Sequence, residues 1–283
     1  MEFSKDEIGA KKMEQLKQRE NETDNKRREG KLLSLQKNVT EVEKRAWKNN
    51  IRLRVAELPS VRAVRDEAFF SCTSLHTVRF PEVQVVGKRA FAGCSKLKNV
   101  EFPEQLKKMG LAAFQDNKRL ENAVFEKNSF LQILNAEMFS GCTSLKDVRL
   151  PKNLQVLGRR AFYQCRDLEE IELPIRLRVL GKECFYGCGL RELELPEGLE
   201  EIEEGAFRKC KNLEYVYLPD SLRKIGKWVF HGCPRLKVVE INHDPDEIGE
   251  WITNKCCVIR CPKGSRMEEY ARNYGIQVEY TEE

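Results

Sequence analysis

The sequence predicts an α/β repeat solenoid: a curved array with a parallel sheet on one face, a helical N-terminal segment and a small α/β C-terminal cap. Three observations predict it. Leucines 53, 75, 97, 120, 145, 168, 190, 213 and 236 recur at intervals of 22 to 25 residues. Each opens an alternation of apolar and polar residues that closes on a proline in most units, as in LKDVRLPKNLQVLGRRAFYQCRD from Leu145 to Asp167. A phenylalanine with a cysteine three residues later completes nearly every unit. A fixed period of this length marks a stacked array, because one unit cannot bury its own apolar face.

Residues 1–30 are polar without a sustained period, which predicts a disordered or loosely helical tether. Over residues 31–52, Leu32, Leu35, Val39, Val42 and Ala46 fall at steps of three and four. That stripe predicts an amphipathic helix capping the solenoid, with oligomerisation through the same helix as the alternative. Residues 53–241 hold eight full units and a ninth strand. In each, LxxVxLP reads as a strand with one buried face, ended by a proline that cannot donate to a ladder. The second half, LxxIGxxAFxxC, carries apolar residues near helical spacing and predicts a short helical or 3₁₀ turn, or irregular chain. Glu126 replaces the proline in the longest unit, where a bulged loop is expected. Residues 242–283 read as a cap: a strand, a Pro-Lys-Gly turn, a helix with Ser265 as N-cap and Gly275 as stop, then a final strand.

The repeating pattern resembles the BspA-like subtype of leucine-rich repeat over residues 53–241. The resemblance implies protein binding without catalysis, on the sheet face of a solenoid, as a scaffold or as an adhesin at a cell surface.

The residues narrow the function classes independently. The net charge of +5 is uneven: residues 1–50 hold 13 Lys/Arg against 10 Asp/Glu, leaving the rest nearly neutral. The one dense basic cluster is KRREGK, Lys26 to Lys31, too small for a nucleic-acid face. No stretch has the roughly 20 apolar residues of a membrane helix. The N-terminal residues lack the apolar core of a secretory signal. A cytoplasmic location is expected, with the cell surface or secretion by a non-classical route as the alternative. Cysteines 72, 94, 142, 165, 188, 210 and 233 share one repeat position, so they read as buried packing rather than nucleophiles. Cys256, Cys257 and Cys261 stand apart and carry the redox or metal alternative, with His243 as a conceivable fourth ligand. Their spacing is not that of a strong zinc site. Alternation places one of Cys256 and Cys257 inward and the other outward. No cofactor site and no nucleophile–base pair is legible.

In LxxVxL the third and fifth positions point outward. Along the late strands these are Glu170 and Glu172, Glu192 and Glu194, Tyr215 and Tyr217, then Val238 and Glu240. Like charges on adjacent strands cost stability. A face for a protein partner with a basic segment, anchored on the tyrosines, accounts for them. The chain itself is expected to be a monomer. The competing reading is an ordinary solvated face relieved by Arg191 and Lys237.

Overall fold

The computed structural model describes residues 31–281, and the polar tether 1–30 lies outside them. Successive coils stack in parallel and form two rows of strands. The front row uses the LxxVxL half of each unit. Leu32–Ser34, Val55–Glu57 and Thr77–Arg79 form one sheet, and Asn99–Phe102, Asn122–Phe125 and Asp147–Arg149 a second. Tyr215–Leu218, Val238–Ile241, Val258–Cys261 and Gln277–Tyr280 form a third. The side row is built from two-residue strands, most of them just before the repeat glycine. It runs from Glu41–Val42 to Lys108–Met109 in one sheet and from Ile133–Leu134 to Glu247–Ile248 in another.

The core lies between these rows and follows the alternation. Leu53, Ala56 and Leu58 are fully buried, while Val55 and Glu57 between them are half-buried. The eight repeat phenylalanines are all fully buried and stack from coil to coil, for example Phe162 on Phe185 at 5.2 Å and 5°. The longest unit keeps its front strand, Asn122–Phe125. Its extra residues turn at Glu126, whose carbonyl accepts the Ser129 N–H at 2.9 Å, and leave Phe130 exposed. The side row breaks beside this insertion, between Lys108–Met109 and Ile133–Leu134.

The expected N-terminal helix is absent. Residues 31–52 form a further coil, with strands Leu32–Ser34 and Glu41–Val42 in register with Val55–Glu57 and Ala63–Val64. Trp47 takes the phenylalanine position and is buried, and Asn50 takes the cysteine position. The Asn50 side-chain oxygen accepts the Leu53 N–H at 2.9 Å. The helical stripe fails physically: Leu32 and Ala46 are exposed, and the buried apolar residues are Leu33, Val42 and Trp47. A neighbouring coil supplies ladder partners for this segment, which outweighs its weak helical period.

The second half of each unit is not helical either. Its main-chain donors bond to the next coil instead of four residues back. Glu67, Phe69 and Ser71 donate to Lys88, Ala90 and Ala92 carbonyls at 2.9, 2.7 and 2.8 Å. This third ladder holds two left-handed residues in most coils, such as Arg160 (φ 55°) and Gln164 (φ 60°). Among the described residues the one helix is Arg266–Tyr274. Ser265 accepts the Glu268 N–H at 3.2 Å, and Gly275 ends the helix in the left-handed conformation.

The cysteine ladder has a specific bonding role. Each repeat thiol donates to the main-chain carbonyl of the aromatic residue one coil back. Cys165 bonds Phe139 O at 3.2 Å, Cys188 bonds Phe162 O at 3.0 Å, and Cys72 bonds Trp47 O at 3.0 Å. Burial pushes these thiols up, Cys72 and Cys233 to about 12. Thiolates are therefore scarce at neutral pH, and the ladder is unreactive. Cys257 is buried and Cys256 exposed. Titration of the native protein with a thiol reagent is expected to modify Cys256 alone of the eleven cysteines, the other ten reacting after denaturation. Several fast-reacting thiols in the folded chain would contradict the buried ladder.

Candidate functional site

The front row is interrupted where its charge changes. Between Asp147–Arg149 and Tyr215–Leu218, two coils present residues 168–173 and 190–195 without a strand ladder. Their apolar positions still face the core, with Leu168 and Leu190 fully buried. Among the described residues the one main-chain hydrogen bond between these two stretches runs from Arg191 N–H to Glu169 O at 3.0 Å. Covalent geometry sets the second of these two coils apart. Two residues separate the repeat cysteine from the next leucine in the other units, but Gly189 alone separates Cys188 from Leu190. The shortened link pulls the chain against the preceding coil. A Cβ on Gly189 would lie 2.3 Å from Arg166 O. The stretch that follows, residues 190–195, has no strand ladder on either side.

Glu170, Glu172, Glu192 and Glu194 all lie on this interrupted surface and all are exposed. None of the four makes an ion pair among the described residues. Two carboxylates beside them are paired across one coil: Glu169 with Arg191 at 3.0 Å and Glu214 with Lys237 at 3.7 Å. Arg191 and Lys237, the cations expected to relieve the face, are thus engaged along its flank. The four glutamates present a local negative field that no ion pair among the described residues neutralises.

The aromatic end of the site is organised differently. Tyr215 is 45% exposed and donates from Oη to Glu240 at 3.1 Å. Glu240 also accepts from Arg260 at 2.9 Å, and Arg260 reaches Glu279 at 3.0 Å. Glu240 is held inside this network rather than offered to solvent with the quartet. Tyr217 is half-buried, and its Oη lies 3.5 Å from Asp220. Partial burial, and then the neighbouring carboxylates, push both phenols up, so they stay protonated donors.

A cavity of about 410 Å³ is lined in part by Glu200, Asp220, Arg223, His243, Asp244 and Asp246. His243 Nε2 meets Leu222 O at 2.6 Å, and Nδ1 stands 3.7 Å from Asp220. These residues come from three coils. The acidic composition of 242–251 is visible in the sequence, but its convergence with Glu200 and Asp220 is not. Among the described residues no three His, Cys, Asp or Glu side chains gather to hold a metal.

Known proteins place this architecture. A crystal structure of a leucine-rich repeat protein from Bacteroides ovatus is similar, at 18% identity and a TM-score of 0.62 over 89% of this chain and 92% of the other. The pneumococcal vaccine antigen PcpA aligns at 18% identity over 90% of each chain, with a TM-score of 0.42. A leucine-rich cell surface protein from Faecalibacterium prausnitzii aligns at 24% identity over 75% of this chain and 73% of its own, with a TM-score of 0.45. No curated protein matches. The family model for BspA type leucine-rich repeat regions matches six copies over residues 28–133 and 132–260. That match takes in the added N-terminal coil, and with the stacked strand–turn units it shows that the chain belongs to the BspA-type leucine-rich repeat family.

Proposed function

We propose that this chain is a protein-recognition or scaffold module whose front face binds a partner carrying a basic segment. Leucine-rich repeat proteins are generally non-enzymatic scaffolds that bind proteins, and relatives of this type are commonly surface or adhesin-like proteins. The observation that carries the reading is the unpaired quartet Glu170, Glu172, Glu192 and Glu194 on an exposed surface flanked by the paired carboxylates Glu169 and Glu214. Unpaired like charges are a cost to the free protein that a cationic partner removes. Tyr215 and Tyr217 border the quartet and supply aromatic anchors with donor hydroxyls. Glu240 acts here by fixing the Tyr215 ring.

The compartment belongs to the same proposal. A cytoplasmic partner makes the chain an intracellular scaffold; a matrix or cell-surface partner makes it adhesin-like. Paired capture from cell lysate and from extracellular matrix tests both points. Wild type is compared with a variant carrying Glu172→Lys, Glu194→Lys and Tyr217→Ala, after circular dichroism shows that both fold. A partner held by wild type and lost by the variant is expected. Equal capture by both proteins would remove the front face as the binding site.

A further inference from the structure

The acidic front face has a complement within the same sequence, in Lys26, Arg27, Arg28 and Lys31. We propose that this basic segment of a second copy docks on Glu170, Glu172, Glu192 and Glu194, so that the chain occludes its own partner site by self-association. The inference rests on the front-face reading and names a competitor for that surface.

Charge supplies the first argument. The segment KRREGK holds four cations and one carboxylate, and it is the one dense basic cluster of the chain. The quartet offers four carboxylates with no ion pair among the described residues, bordered by two tyrosines whose rings suit guanidinium groups.

Reach supplies the second argument and decides between the chain's own segment and that of another copy. The first front strand begins at Leu32. Front strands beginning at Val55, Thr77, Asn99, Asn122 and Asp147 lie between it and the coil of Glu170. Six steps at strand spacing make about 29 Å, and the seventh, to Glu192, about 34 Å. Arg27 precedes Leu32 by five residues, which fully extended span about 17 Å. Main chain alone leaves Arg27 about 12 Å short of the Glu170 coil and about 17 Å short of the Glu192 coil, so in its own chain the fully stretched segment could touch the nearer pair of glutamates at most and not the whole quartet. A second copy has no such limit. In an antiparallel two-fold pair, the first coil of each chain lies beside the acidic coils of the other, and both contacts form together.

The test is sedimentation of the full 283-residue chain at about 50 mM and about 500 mM salt, where screening separates exposed charge pairs from apolar contacts. A low-salt dimer is expected, at least about tenfold weaker in high salt. A variant with Lys26→Glu, Arg27→Glu and Arg28→Glu should lose it. So should one with Glu170→Lys, Glu172→Lys, Glu192→Lys and Glu194→Lys. Each variant alone should stay monomeric, and an equal mixture of the two should associate again through the exchanged charges. A wild type that is monomeric at low salt, or a dimer that both variants preserve, overturns the proposal. If a foreign partner is still captured by wild type and lost only by the glutamate variant, self-docking fails while the front-face reading stands.

Discussion

Replacing Phe162 with alanine is expected to destabilise the protein by about 3–5 kcal/mol, the range for deleting a buried aromatic ring. Phe162 is fully buried, and its ring stacks on Phe139 at 5.6 Å and on Phe185 at 5.2 Å. Alanine would remove transfer free energy and both ring contacts, and would leave a cavity in the middle of the array. The coils cannot close around it, because the turn ladder fixes their separation: Phe162 N–H bonds Cys184 O at 2.7 Å, and Phe139 N–H bonds Ala161 O at 2.8 Å. Each coil of a solenoid contacts only its neighbours, so the loss also weakens coupling between the two halves of the array. Urea unfolding measures it. Phe162→Leu, which keeps most of the apolar volume, should recover much of the loss. A cost under about 1 kcal/mol for the alanine variant would mean that the phenylalanine ladder is not what holds the coils together.

Gly110→Ala is expected to cost about 3 kcal/mol or more, at the upper end of overpacking penalties. A Cβ there would lie 2.3 Å from Lys88 N and 2.5 Å from Gly87 C. Both are main-chain atoms of the preceding coil, so no rotamer change relieves the contact. Moving the chain away would break the bond from Gly110 N–H to Val86 O, which is 2.7 Å long. Gly264→Ala provides the contrast. Gly264 has nothing within 4 Å of the added atom, but its φ is +79°. Its cost should be confined to the left-handed backbone penalty of about 1–2 kcal/mol. Thermal and urea unfolding of the two variants separate steric exclusion between coils from local backbone preference. Equal losses would show that the close approach at Gly110 is relieved elsewhere.

The N-terminal coil and the turns show why parts of the architecture were not readable. The steps of three and four from Leu32 to Ala46 fit a helix as well as a coil of the array. Only the next coil, pairing Leu33 with Ala56 and Val42 with Val64, removes the ambiguity. Trp47 and Asn50 stand where later coils have phenylalanine and cysteine, which hid this coil from a search for the repeat signature. The turns were equally ambiguous. Their left-handed positions are filled by Arg45, Glu67, Glu137, Arg160, Glu183 and Trp228 among others, none of which announces positive φ. Bonds to the next coil hold them there, and no local propensity encodes those bonds. Within the candidate site, the outward glutamates and tyrosines were legible because strand alternation is local. Capture of Glu240 by Arg260 was not, since Arg260 lies on the neighbouring strand, 20 residues later.

By itself the sequence determined the repeat, the buried leucine, phenylalanine and cysteine rows, the outward face of each front strand and the closing helix between Ser265 and Gly275. All depend on periods of two residues, on one coil length or on cap residues, and those are local quantities. The tertiary structure decided what depends on stacking. It made residues 31–52 a coil, replaced helical turns with a third ladder, and turned the cysteines into donors to the coil before. It also interrupted the front ladder between Arg149 and Tyr215 and left four of the site's glutamates without an ion pair while engaging Glu240. Each of these outcomes depends on which groups of adjacent coils come within bonding distance, a relation that arises only when the units stack.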